Sequence, residues 1–447
     1  MRIREELLER CTAAVGSALK EGFDEAAALA LRTESVMVKV FENTLSVVQR
    51  WERLSLRLYL AKDKRIMFLE AGARSPEELP PELSRLAAAA TKVKESFIYA
   101  PLPPPVNVKM LGGLADKRLI DMLEDPSPLA EKMVDAALSE GGERVAGMLE
   151  VSYVERALVT SSGAKLYEDS TALDAYLRVF SGDGTGQWSF GAPHLDERGV
   201  VEAARIAARY ASLAKGPEPL EPGVYDVVLS PMVFGNLLNI VCRMASAFRA
   251  MIGMSMFAGK RPGDKVASEL LTVYDDPRNR ELVGARSFDD EGVPTMSKPV
   301  IERGVFRTFL HNVKTAARMG VRTTGNAGWL DPHAWSIRVR PGDRTLEELI
   351  GEVKRGVLIT NNWYTRLQNY TEGVFSTISR DAAFLVEKGE IAKPLGKFRI
   401  ADTLPNLLSN VAALGRELYD IWWWEVETPV RAPYVLAKSL HTSRHVV

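Results

Sequence analysis

From Ala26 to Gly72 the sequence alternates apolar and polar residues instead of repeating every three to four. The segments AAALALRT, SVMVKVFE, LSVVQRW, LSLRLYL and RIMFLEA follow a period of two, which a pleated strand sorts onto its two faces. Asn43 and the Asp63-Lys64 pair interrupt the runs with turn-forming residues. The expectation is an antiparallel meander of short strands. An amphipathic helix precedes it over residues 4–21, with Leu7, Leu8, Cys11, Val15 and Leu19 on one face.

Helical patterning returns at Pro76–Phe97, and the proline-rich run from Ala100 to Val106 reads as a stiff, extended linker. A second helix-then-meander follows. LAEKMVDAALSE supplies its helix, and RVAGMLEVSYVERALVTS and AKLYEDSTALDAYLRVFS supply its strands, with Ser161-Ser162-Gly163 as the tip between them. A helix from Asp196 to Ala214 closes this half. The repeated order suggests duplication, but residue identity does not carry it, and the question stays open at this level.

The segment GPEPLEPGVYD (Gly216–Asp226) contains three prolines and marks a domain boundary, giving residues 1–215 and 216–447. A chain of 447 residues exceeds one ordinary core, which fits that division. The second part opens with a strand at Tyr225–Leu229 and an apolar helix. Strands and tight turns follow, with hairpins through Arg303-Gly304 and Lys388-Gly389. Short helices are expected at Lys314–Met319, Leu346–Lys354 and Leu404–Leu414. The fold class is therefore α+β: an N-terminal domain of helices and antiparallel meanders, then a strand-rich, barrel-like C-terminal domain with flanking helices.

Fifty-seven basic residues balance fifty-eight acidic ones, which argues against a dedicated nucleic-acid surface. The two cysteines, Cys11 and Cys242, sit in apolar helical patterns and are expected as buried free thiols. The most apolar stretch, Val227–Phe257, is broken by Pro231, Asn236, Asn239, Arg243 and Arg249, so it reads as a buried helix and not a membrane span. The N-terminus lacks the apolar core of a signal peptide, and a cytoplasmic location is expected.

The run VVLSPMVFGNLLNIVCRM (Val227–Met244) resembles, without a gap, the metal-binding helix of the TldD/PmbA family. Val227, Val228, Leu229, Pro231, Gly235, Leu237 and Leu238 stand where that family expects them. The family's catalytic arm carries a His-Glu-x-x-x-His motif near the end of this run. Here the three chemical positions are Asn239, Ile240 and Met244. Catalytic zinc takes His, Cys or carboxylate ligands, and the motif glutamate accepts a proton from the bound water. Ile240 cannot accept a proton, Met244 offers a neutral thioether, and Asn239 is a weak oxygen donor. None of His194, His311, His333, His441 and His445 replaces the motif. His441 and His445 lie four apart, but at the chain end and with no glutamate between them.

The resemblance extends through KRPGDKVASELLTVYDDP (Lys260–Pro277), Phe288–Gly328 and Glu372–Val411, and is looser in the first half. The catalytic arm also has a late Cys-Gly-Lys motif. No cysteine follows Cys242 here, and the late region reads LYDIWWWEVETP (Leu418–Pro429). The resemblance thus implies the PmbA arm, also called TldE: a subunit with no metal and no catalytic residue of its own. Its partners would be a TldD-like catalytic subunit, which holds the zinc, and a small or unfolded peptide substrate. Nucleic acid and membrane are not expected as partners, and a homodimer is one state open to the isolated chain. The alternatives are a self-standing homodimeric peptide-binding protein and a non-metal hydrolase, for which no nucleophile elbow is evident.

Asn239 and the loop Thr323, Thr324, Gly325 and Asn326 are candidates for lining a substrate channel. The loop would do so by presenting N–H groups to a peptide; a plain tight turn is the equal alternative. The acidic turns Asp275-Asp276 and Asp289-Asp290-Glu291 suit a hard cation or, more simply, loop shaping. Trp422, Trp423 and Trp424 would point to alternate faces of a strand, so at least one is expected to look away from its own core, either at an interface or in ordinary packing.

Overall fold

The computed structural model describes residues 2–445. Its first part runs α1 (Arg2–Lys20), β1 (Glu25–Phe41), β2 (Thr44–Lys62), β3 (Arg65–Gly72), α2 (Pro80–Ala90), α3 (Lys117–Met122), α4 (Ser127–Ser139), β4 (Arg144–Thr160), β5 (Lys165–Ser181), β6 (Gly184–Ala192) and α5 (Glu197–Leu213). The strands form one six-stranded sheet in the order β3-β2-β1-β4-β5-β6.

The strands are longer than their patterns suggested. AAALALRT and SVMVKVFE fuse into one seventeen-residue strand, and LSVVQRW and LSLRLYL into one of nineteen. No turn residue separates the fused halves, and β1 is matched by β2 on one side and β4 on the other for most of its length. Those ladders carry the backbone straight through the polar positions. The turns fall where they were expected. Glu42, Asn43, Asp63 and Lys64 all have positive φ, as the tight turns of two-residue hairpins require.

The two meanders meet through antiparallel pairing of β1 with β4, from Ala27 opposite Thr160 to Val40 opposite Gly147. Each meander has a helix before it and a helix after it, and β1 and β4 are both seventeen residues long. The repeated order of elements is therefore also a repeated arrangement in space. The proline-rich run is not a spacer between domains. Leu102 is buried; its N–H donates to Glu25 Oε2 (2.9 Å), and the Pro103 carbonyl accepts from Ser162 Oγ (2.6 Å). The run is a strap tied to both meanders, and proline suits it because no ladder asks for its N–H.

The second part contains β7 (Gly223–Leu229), α6 (Pro231–Met244), α7 (Ala247–Met251), β8 (Val273–Asp275), β9 (Lys298–Glu302), β10 (Val305–Phe306), α8 (Val313–Met319), β11 (Ile337–Val339), α9 (Leu346–Gly351) and β12 (Arg355–Asn369). It ends with β13 (Val374–Glu387), β14 (Glu390–Pro394), β15 (Phe398–Thr403), α10 (Leu404–Ser409), β16 (Val411–Leu414), β17 (Tyr419–Trp423), β18 (Val426–Ala432) and β19 (Val435–Arg444). Strands β12-β7-β19-β15-β13 close into a five-stranded barrel through pairing of β13 with β12. A second sheet runs β10-β9-β8-β11-β18-β17. The helix expected over Leu404–Leu414 stops at Ser409, because Val411–Leu414 pairs with β19 instead.

The two parts share one core. Trp188 on β6 stacks on Tyr434, and the Tyr434 and Tyr210 hydroxyls lie 2.6 Å apart. Cys11 and Cys242 are buried and free. Among the described residues no helix is long and apolar enough to cross a membrane.

Helix α5 lies close on β6 because the strand has no side chain at the crossing. A Cβ on Gly186 would stand 2.1 Å from the Ala207 carbonyl oxygen. Gly186→Ala should therefore cost about 1–3 kcal/mol in urea unfolding. Gly16→Ala, in α1 with open space around it, should be neutral or stabilise by about 0.5–1 kcal/mol. Equal midpoints for the two variants would contradict this packing.

Candidate functional site

Helix α6 begins at Ser230, whose Oγ accepts from the Val233 N–H (3.3 Å) and donates to the Thr360 carbonyl (2.6 Å). Pro231 follows at the first helical position, where no N–H is needed. The helix is wedged between the barrel and the second sheet, and of its residues only Arg243 is exposed. Asn236, Asn239, Ile240, Arg243 and Met244 recur at three- and four-residue spacing, so they share a face. That face lines a cleft of about 350 Å³. Trp424 and Glu425 face it from the β17–β18 turn, Glu427 from the start of β18, and Arg366 and Tyr370 from the end of β12 and just beyond.

The stretch without the His-Glu-x-x-x-His motif and the stretch without the late cysteine are thus neighbours in space. Asn239 is the link between them. Its Oδ1 accepts from the Thr428 N–H (2.8 Å), while its Nδ2 donates to the Thr428 carbonyl (2.9 Å) and to the Gly235 carbonyl (3.2 Å). One side-chain amide imitates a strand neighbour and fastens β18 to the helix. One turn earlier, Asn236 donates to the Glu425 carbonyl (2.7 Å) and accepts from Thr365 Oγ1 (2.8 Å) and Asn362 Nδ2 (3.1 Å). Met244 and Ile240 are buried apolar groups.

These donors do not fit catalytic zinc, which takes three protein ligands of His, Cys or carboxylate type and leaves a position open. Both polar atoms of Asn239 are engaged, and the next position is aliphatic. Among the described residues no three His, Cys, Asp or Glu side chains cluster as a metal site. The cleft instead offers amides, guanidinium groups and two acids, Glu425 and Glu427. Burial pushes the Glu425 carboxyl above its ordinary range, although the Tyr364 N–H and nearby Arg366 favour its charge. Arg249 is held by Asp331 (Nε to Oδ2, 2.7 Å), and Arg366 lies over the Tyr364 ring. Such a surface can hold a polar chain by hydrogen bonds and packing.

The loop at 323–326 lies outside this cleft. Thr324 Oγ1 accepts from the His311 N–H (2.7 Å) and the Gly325 N–H leans on Thr323 Oγ1 (3.4 Å). Asn326, fully buried, donates to Asp275 Oδ2 (2.7 Å) and to the His333 carbonyl (2.8 Å). The Ala327 N–H goes to Asp289 Oδ2 (3.0 Å). The hydrogen-bonding capacity of the loop is spent inside the protein. The acidic turns are occupied in the same way. Asp275 accepts from Lys298 Nζ (2.8 Å) and the Trp335 N–H (2.9 Å), Asp276 pairs with Arg338 (2.6 Å), Asp290 with Arg156, and Glu291 with Lys314. Asp289 takes the Glu291 and Val293 N–H groups as well (both 2.9 Å).

The three tryptophans take different surroundings, although the Trp423 and Trp424 rings meet edge to face at 5.0 Å. Trp423 is buried, with its ring 6.2 Å from Tyr176. Trp424 is half exposed on the α6 cleft. Trp422 faces the other way, onto Gly191 of β6, where a Cβ would come within 2.6 Å of its own Cβ. Asn236, Arg243, Glu425 and Glu427 were not singled out from sequence. Helical spacing from Asn239 was a signal for the first two; nothing local marked the last two as facing the helix.

Residues 222–444 match the family model described as the PmbA/TldA metallopeptidase C-terminal domain, and residues 117–214 match the central-domain model. The chain is 26% identical to a metalloprotease of Methanothermobacter thermautotrophicus over 76% of its own length and 77% of the relative's. It is 25% identical to a TldD homolog of Haemophilus influenzae, covering 79% and 64% of the two chains. The crystal structure of TldE from Thermococcus kodakarensis superposes with a TM-score of 0.83 at 23% identity, over 96% of this chain and 98% of that one, so the fold is shared.

Removing the Asn239 clamp should leave the Thr428 backbone groups unpaired. Asn239→Ala is expected to lower stability by about 1–3 kcal/mol in chemical unfolding. A loss below about 0.5 kcal/mol would mean that the clamp is idle.

Proposed function

The chain belongs to the PmbA/TldD metallopeptidase family, and from that premise we propose that it is the non-catalytic, TldE-type subunit of a zinc peptidase. Relatives carry both TldD and PmbA names, so the reading rests on residues. The observation that carries it is the engaged Asn239 beside Ile240 and Met244, on the one helix face that opens into a cleft. A TldD-like partner supplies the zinc, and this chain contributes binding surface for a small or unfolded peptide. The strand-rich second part supports that role, since an extended peptide is held well by adding to a sheet.

The purified chain is expected to hold well under one zinc per polypeptide by elemental analysis and to leave unstructured peptides uncut. Adding a family member that carries His-Glu-x-x-x-His should give a mixed complex on size exclusion and start cleavage. Stoichiometric zinc in this chain alone, or cleavage of peptides by a homodimer, would overturn the assignment and favour a self-standing hydrolase.

A further inference from the structure

Glu427 borders two clefts. Beyond the one under α6 there is a second, of about 470 Å³, between the N-terminal sheet and the C-terminal part. Leu29, Leu31, Val154 and Ala172, from β1, β4 and β5, give it an apolar wall, with the Ser152 and Ser170 hydroxyls among them. Arg286, His333, Trp335 and Trp422 face that wall.

Arg286 is the unusual member. Its guanidinium lies over the Trp335 ring at 3.8 Å, and the indole is itself fixed by a bond from Nε1 to the Gly325 carbonyl (2.9 Å). The Arg286 backbone is tied on both sides, by its N–H to the Pro277 carbonyl and its carbonyl to Thr295 Oγ1. Nε donates to the Gly284 carbonyl (3.3 Å), but among the described residues neither terminal nitrogen has an acceptor. The acids close to Arg286 are already taken, and Glu427, the cleft's other acid, makes no bond to it. Glu168 and Asp290 both bond to Arg156, and Asp275 bonds to Lys298. Burial, with the adjacent Arg156, pushes Arg286 down to about 10, against the opposing pull of Glu168, Asp290 and Asp275. Beside it, His333 has its ring against the same indole at 4.2 Å and its Nδ1 3.3 Å from the Asp331 carbonyl. The Asp331 carbonyl can only accept, so this contact calls for a hydrogen on Nδ1, and burial shifts the ring towards its neutral form, in which Nε2 is an acceptor.

A rigid, stacked guanidinium with two free parallel donors matches a carboxylate. An acceptor next to it matches a ligand N–H, and the opposite wall matches an aliphatic or aromatic body. We propose that this cleft binds a carboxylate borne on an apolar body, the chemistry of an apolar peptide's C-terminus, with the carboxylate on the edge of Arg286. The site belongs to this chain alone and does not rest on the subunit assignment above.

The test is calorimetric titration of the purified full chain with N-acetyl-Leu-Leu, with its C-terminal amide, and with phenylbutyrate. The free acid should bind saturably with one site, and the amide roughly 10–100-fold more weakly, the value of a charge-assisted pair. Arg286→Gln should weaken the acid by that factor and leave the amide unchanged. Ser152→Trp, which fills the cleft without touching Arg286, should abolish both. Tighter binding of the peptide acid than of phenylbutyrate assigns a peptide source, and equal binding a simple carboxylate; both support the carboxylate site. Equal affinity for acid and amide, no saturation by about 10 mM, or an unchanged affinity in folded Arg286→Gln would overturn it. If that variant does not fold, the acid-against-amide comparison on the unaltered protein decides.

Discussion

One amide side chain fastens the centre of the C-terminal part together. Helix α6 is buried nearly all round, so any polar atom on it must find a partner within the protein or cost several kcal/mol (~2–7). Asn239 meets that demand by bonding to both backbone groups of Thr428. Strand β18 is thereby held against the helix, and with it the turn that carries Trp424 and Glu425. The same bonds explain why this position is a poor ligand: a neutral amide oxygen is a weak donor to a cation, and this one is held in place by the Thr428 N–H. Asn236 extends the pattern to Glu425, Asn362 and Thr365. This face of α6 is a joint between a helix and two strands.

Below this joint lies a polar hub assembled from loops. Asp275 gathers Lys298, Asn326 and two backbone N–H groups, Glu291 gathers Lys314 and the Val313 N–H, and Asp289 gathers three N–H groups from two loops. Buried charges persist only when paired and fully hydrogen-bonded. Here the pairing partners come from segments up to 61 residues apart, so the acidic turns act as nodes that hold irregular chain in place. Arg286 stands out against this background because the cations around it are satisfied and it is not.

Much of the fold could be read from pattern alone. Period-two runs found the strands, Asn43 and Asp63-Lys64 found the turns, and Asp196 and Ala214 bracketed α5 almost to the residue. Strand length was underestimated, since polar residues within β1 and β2 resemble breaks until both neighbours are known. The loop at 323–326 reads as N–H groups ready for a ligand because its sequence shows donors but not the carbonyls and carboxylates that take them. Asn239, Ile240 and Met244 were legible as a group because helical spacing places them together. The turn at 424–427 was not, because its meeting with α6 joins residues 189 positions apart.

The back-to-back pairing of the two meanders also bears on solubility. Separated, each would carry a seventeen-residue strand with a bare row of N–H and C=O groups along one side. Such a row is a template for unwanted association with other chains. Joined, the two long rows satisfy each other, and the outermost strands are the shortest in the sheet, eight and nine residues. One of these is shielded by the stretch around Trp422 lying against Gly191. The arrangement that doubles the sheet also hides the surfaces most prone to aggregate.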